Sequence, residues 1–303
     1  MLLVVPALAV CTLVGWWAGG RLVLALAWLV LAAYVLVVAP MPAREYGALA
    51  RGWSLLVASA FGLVGVVAPG RRFLPRALSA LGLAVATALV VLFATDRSPA
   101  RVVDVMTAEY GRRVEGSLSA WRRHVAADWT ERTAREPELA ERADDAAGAL
   151  AALPPRAASL VPALAALESL AALALAWAIY HRLARARIGP PLAPLRDLRF
   201  SDQLVWGVVA GAAMLLVPSL AALAPVGLNL LGFFGALYAL RGLGVVRWLA
   251  PERWVAFAAL GLALLLPVLG PVLLAQALGA LAVLLGLGDT WMDWRGRRPR
   301  AAT

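Results

Sequence analysis

The sequence predicts an all-α, polytopic transmembrane helix bundle, on three observations. Hydrophobic residues make up 62% of the 303 residues and charged residues 15%, against about 45–50% and about 25% in soluble domains. The apolar residues fall in uncharged runs of about 20 residues, or pairs of that length, as a helix needs to cross about 30 Å of hydrocarbon. Those runs carry no polar face, which a soluble helical domain would require. The expected count is eight to nine membrane segments with one polar helical insertion.

Residues 2–19 form the first span and 22–39 the second, joined only by Gly19-Gly20-Arg21, so the two must be antiparallel neighbours. Residues 52–68 and 77–94 are the third and fourth. Arg71, Arg72 and Arg76 lie between them, and Pro69 and Pro75 break the helices. Residues 96–156 then hold eleven of the eighteen acidic residues and ten arginines. Ser98-Pro99 is a helix start, an N-cap followed by proline at the first helical position. From there Val103, Met106, Tyr110, Val114, Leu118, Trp121, Val125 and Trp129 recur every three or four residues, one apolar stripe on a long amphipathic helix. A shorter alanine-rich helix covers 138–153. The stripe packs on the protein's own helices or the lipid surface, or else it docks another envelope protein or a second copy of the chain.

Residues 157–180 are the fifth span, followed by His181, Arg182, Arg185, Arg187 and a proline-rich loop. Ser201 caps a sixth span over 204–223, and after Pro225 a seventh runs over 227–249. Residues 254–288 are uncharged and contain Pro267 and Pro271. The chain thus divides into 1–94, four transmembrane helices; 95–156, the insertion; and 157–303, a C-terminal transmembrane block.

The net charge is +10 and all 28 basic residues are arginine. Arginines flanking spans mark the cytoplasmic side, which accounts for the charge without nucleic acid. Counting them puts the loops after spans three, five and seven and the tail in the cytoplasm, and 95–156, whose acids balance its arginines, outside. The expected location is a bacterial inner membrane, multi-pass, with a cytoplasmic C-terminus. Residues 254–288 must then turn back at Pro267–Pro271, with each arm only about 13–17 residues, or about 20–26 Å. The arms are two short spans or a re-entrant hairpin; an eight-segment arrangement with the tail outside is the alternative.

Residues able to carry chemistry are few. Glu168 sits midway along span five, where an ionised carboxyl costs roughly 2.5 kcal/mol or more, so it should face the bundle interior, be protonated or be paired. It reads as a proton, cation or substrate site, or as a structural hydrogen bond. Arg241 could pair with it or snorkel to the surface, which its position favours. Asn229 and Gln276 read as interhelical glue before ligand contacts. At the C-terminal end, Asp289 and Asp293 share a face if the helix continues, as do Trp291 and Arg295; with Trp294 they form an interfacial anchor or a cytoplasmic partner site. Cys11, alone, reads as packed filler. His124 and His181 are the only histidines. No catalytic motif, metal-ligand spacing or cofactor loop occurs, and the expectation is a non-enzyme with no metal and no cofactor.

Three segments of the C-terminal block stand out: Phe200-Ser-Asp-Gln-Leu-Val-Trp206; Asn229-Leu-Leu-Gly-Phe-Phe-Gly-Ala-Leu-Tyr238 with Arg241-Gly-Leu-Gly-Val-Val246; and Leu287-Gly-Asp-Thr-Trp-Met-Asp-Trp-Arg295. In these the block resembles the YybS-like family, bacterial integral membrane proteins carrying a domain of unknown function. The resemblance implies membrane helices and no catalytic residue. The functional expectation is a cell-envelope scaffold or partner-binding membrane protein. The alternative is a transporter or substrate-capture component with Glu168 in a mid-membrane polar site.

Overall fold

The computed structural model describes residues 2–38, 40, 44–95, 98–135, 148, 159–185, 187–249 and 273–297, and among them there are helices and turns but no strand. The second insertion helix expected over 138–153, apart from residue 148, the first arm and turn of the 254–288 hairpin, and the end of the basic tail lie outside the described residues. Among the described residues, five helices are long and apolar enough to cross a membrane: Glu45–Val67, Phe73–Ala94, Val161–Leu183, Pro218–Leu249 and Leu273–Met292. Val4–Trp17, Leu22–Val37 and Asp202–Leu216 are apolar but shorter. The protein is an all-α membrane bundle. Its chain forms two compact units, Met1–Pro191 and Leu192–Thr303.

The first unit contains α1 (Val4–Trp17), α2 (Leu22–Val37), α3 (Arg44–Val67), α4 (Phe73–Ala94), α5 (Pro99–Arg135) and α6 (Val161–Leu183). Helix α1 packs on α2, α3 and α6, while α4 packs on α3 and α6. The tight α1–α2 connection works because Gly19 adopts a φ of 97°, open to glycine and strained for other residues. Small residues let α1 sit at the centre: Ala7, Ala9 and Cys11 are buried. Outward faces are strongly apolar; Val23, Val30, Val90 and Phe93 are all exposed, as lipid contact permits.

Two boundaries in this unit differ from the sequence expectation. Helix α3 begins at Arg44, not at 52, because hydropathy marks only the buried stretch of a helix and the backbone continues through charged residues beyond it. Pro75 does not break a helix; it sits in the first turn of α4, where the missing N–H would have had no partner anyway. Arg76 therefore belongs to the helix and not to the loop.

The second unit begins with two short 3-10 turns, Leu195–Asp197 and Asp202–Leu204, then α7 (Val205–Leu216), a 3-10 segment Pro218–Leu223 and α8 (Ala224–Leu249). Helix α9 (Leu273–Met292) follows, and α10 (Trp294–Arg297) ends the described chain. The expected sixth span over 204–223 is not one helix. Val217 is extended at φ −90°, ψ 114°, as the clash with a following proline demands. The break thus falls at Val217–Pro218, while Pro225 lies harmlessly in the first turn of α8. At 12 residues α7 is about 18 Å long, too short to cross the hydrocarbon core.

Glycines set how closely these helices approach. A Cβ on Gly211 would lie 2.9 Å from the Gly227 carbonyl oxygen, and one on Gly227 would lie 2.8 Å from that of Gly211, so α7 and α8 meet backbone to backbone. At the α8–α9 crossing, a Cβ on Gly242 would strike the Ala282 carbonyl and one on Gly286 the Tyr238 carbonyl. This crossing brings the cytoplasm-expected ends of α8 and α9 together.

Candidate functional site

Beside the Gly242–Gly286 crossing lies an arginine–aspartate cluster. Arg241, on α8, is 4% exposed and Asp289, on α9, is 1% exposed. Arg241 Nε donates to Asp289 Oδ2 at 3.0 Å and Nη2 donates to the Asp289 carbonyl at 3.3 Å. Its Nη1 donates to Asp202 Oδ1 at 3.1 Å. Arg295 donates from Nε to Asp289 Oδ1 at 3.3 Å and from Nη2 to Asp289 Oδ2. Its Nη1 donates to the Arg196 carbonyl at 3.0 Å. The Arg241 guanidinium lies 5.3 Å from the Phe200 ring centroid, and Phe200 meets Tyr238 edge-on at 5.1 Å. A second pair, Arg199 Nη2 to Asp293 Oδ1 at 3.1 Å, is half-exposed.

The local backbone explains how Arg295 reaches Asp289. Asp293 has a φ of 41°, so α9 ends at Met292 and the chain turns before α10. The expectation that the helix continues fails here. Asp289 and Asp293 do not share a helix face, and Asp293 pairs with Arg199. Trp291 is exposed, Trp294 is half-buried and Arg295 is buried, so Trp291 and Arg295 do not form a joint surface.

Charge decides what this cluster can do. Two arginines and two aspartates sum to zero. Both oxygens of Asp289 accept from guanidinium groups, and charge-assisted bonds of this kind are the strong class. A carboxylate occupied in this way is not poised as a general base or metal ligand. Among the described residues no group of three or more histidines, cysteines, aspartates or glutamates stands together as a metal cage. The cluster ties the loop before α7, the end of α8 and the end of α9 to one another. Breaking such a buried pair from one side costs about 3–5 kcal/mol.

The other candidates are scattered. Arg241, expected to snorkel, is instead buried on Asp289 and Asp202, because aspartates reach it within the protein. Asn229, half-buried, donates Nδ2 to the Pro225 carbonyl one turn back at 2.8 Å. Gln276 is exposed. Glu168 is exposed on the first unit, one residue from Ser169, whose hydroxyl is buried and accepts from Trp53 Nε1 at 2.9 Å. Glu168 does not line the small cleft in that unit, which is bounded by Gly15, Arg21, Tyr180 and Arg185 among others. On α5, Val103, Met106 and Val114 are half-buried and Tyr110 is exposed; the side chains of Leu118, Trp121, Val125 and Trp129 lie outside the described residues.

A second built feature escaped the sequence reading. Arg76 is fully buried and its Nη2 donates to the carbonyls of Pro69 at 2.6 Å and Ala68 at 3.2 Å, at the C-terminal end of α3 where a cation complements the helix dipole. Its guanidinium lies 4.6 Å from the Trp177 ring centroid, a cation–π contact. Trp177 Nε1 donates to Pro190 at 3.1 Å. His181, expected at a span end, is 7% exposed and lies edge-on to Trp177 at 4.7 Å. The signal was an arginine one residue after a proline that begins a helix.

Residues 130–290, just over half of the chain, match the model of the family described as predicted membrane protein, DUF2232. The chain belongs to this family. DUF2232 is a membrane protein family of unknown function. The match takes in the buried Arg241 and Asp289 and the exposed Asp202, and stops short of Asp293 and Arg295. No curated protein and no solved structure matches the chain.

Proposed function

We propose that this DUF2232 protein is a non-enzymatic scaffold or partner-binding protein of the bacterial inner membrane, acting through the face of α5. The observation that carries the reading is which edge of α5 is covered. Glu109 is 3% exposed and paired with Arg112 and Arg113. Arg113 Nη2 donates to Tyr46 on α3 at 2.9 Å, and Arg101 pairs with Glu45 at 3.2 Å. The helix is therefore tied to its own unit by a polar edge, and Tyr110, on the apolar stripe, remains exposed. Val103, Met106 and Val114 are half-buried beside it, so Tyr110 marks the open part of the stripe, the part a partner or a second copy would use.

The arginine-rich turns of the first unit support a cytoplasmic face there and an extracytoplasmic α5, whose anchors lie at the opposite end of α3. The segments at 200–206, 229–246 and 287–295 support the narrower YybS-like reading. A substrate-capture role is less well supported, since Glu168 is exposed and does not line the cleft.

The test is site-specific photocrosslinking in intact cells. A photoreactive residue at Tyr110 or Val114 should give an adduct of one discrete mass. The same probe at Val90, on the outward face of α4, should not. Equal behaviour at all three sites would overturn the reading.

A further inference from the structure

The first unit gathers its arginine-bearing turns at one end. A Cβ on Gly189 would lie 3.0 Å from the Pro69 carbonyl and 3.1 Å from that of Arg71, so the loop after α6 rests on the α3–α4 turn. Tyr180 Oη accepts from the Ile188 amide at 3.2 Å, folding the same loop back. A cleft beside Tyr180 is lined by Trp16 at the end of α1, by Gly20 and Arg21 from the α1–α2 turn and by Leu183 and Arg185 from the end of α6. Three turns thus share one surface. Arg21, Arg71, Arg72, Arg182, Arg185 and Arg187 are all exposed on it. The segments 15–26, 64–82 and 177–191 that build it contain no aspartate or glutamate.

We propose that this surface binds the headgroups of anionic phospholipids, with Arg21 and Arg185 holding a lipid phosphate at the mouth of the cleft. Guanidinium forks match phosphate oxygens in paired hydrogen bonds. The cleft has about 10 Å³ of water-sized space, room for a single water, so the phosphate rests at its mouth. Exposed Trp16, Trp17, Leu22 and Leu183 border the arginines. That border makes lipid the fitting partner: charge at headgroup depth, with apolar and indole surface where acyl chains begin. Basic pockets between membrane helices recognise phospholipid headgroups by this combination.

The experiment is native mass spectrometry of the full chain in detergent, titrated with phosphatidylglycerol, with phosphatidylcholine of the same acyl chains, and with inorganic phosphate as competitor. Phosphatidylglycerol should bind more tightly than phosphatidylcholine, and phosphate at equal concentration should not displace it. R21Q/R185Q should weaken phosphatidylglycerol binding roughly 30-fold, at about fivefold per arginine near the surface. R21K/R185K, keeping charge but losing the planar fork, should recover part of the binding lost in R21Q/R185Q, while R101Q/R123Q, which removes two charges from α5, should retain binding within about threefold of the unaltered chain. If R21Q/R185Q does not fold, R21Q and R185Q separately should each lose about fivefold. Equal binding of the two lipids, displacement by phosphate, no loss in the glutamine variants, or an equal loss in R101Q/R123Q would overturn the proposal.

Discussion

The two units handle arginine in opposite ways. In the second, Arg241 and Arg295 converge on Asp289, Asp202 takes a further bond from Arg241, and Arg199 meets Asp293. Charge is cancelled within the protein and used to fasten helix ends. At the arginine-bearing end of the first unit, six exposed arginines stand with no acid in the segments that build it. The one buried arginine there, Arg76, is held by two carbonyls and an indole face. The lesson is that an arginine count near a membrane helix does not by itself distinguish a fastener from a binding surface. The positions of aspartates do.

The difference can be broken first in the second unit. Replacing Asp289 with Ala leaves two arginines facing each other at a buried position and should lower unfolding stability by about 3–5 kcal/mol, read by equilibrium unfolding in detergent. Gly242→Ala should come next, since its Cβ meets the backbone of α9 and not a movable side chain; overpacking of this kind costs about 1–3 kcal/mol, and a shift in thermal midpoint would report it. In the first unit, Arg76→Ala removes a charged hydrogen bond worth about 1.5–3 kcal/mol, while Arg76→Lys, keeping charge but losing the planar fork, should recover part of it. The smallest effect belongs to the half-exposed pair: Arg199→Ala should change stability by about 1 kcal/mol or less. A larger loss there would show that the outer pair is part of the fastener.

The membrane class and the expectation that the first two helices are neighbours were legible, because uncharged runs and a Gly-Gly turn dictate them. The boundaries of α3 and α4 were not, because helices run on through charged residues. Pro218 and Pro225 look alike in sequence, yet only Pro218 interrupts, since Pro225 falls in a first turn. The Arg241–Asp289 pair spans 48 residues and no local spacing announces it. One signal was present: an arginine deep in an apolar run and an aspartate closing another each need a partner, and each supplies the other. Glu168 drew attention on the same argument of cost, but the backbone turned it outward while Ser169 went in. The α5 stripe was legible as a pattern, though which edge of the helix would be covered depended on Glu45 and Tyr46 of a distant helix.

Asp289 and its arginines are joined as one structural unit. A double-mutant cycle on Arg241→Ala and Asp289→Ala, followed by equilibrium unfolding in detergent, tests it most directly. Residues of one network couple by about 0.5–3 kcal/mol. The double variant should be less destabilised than the sum of the single variants by an amount near the top of that range. Additive effects, or single variants as stable as the unaltered chain, would contradict the account.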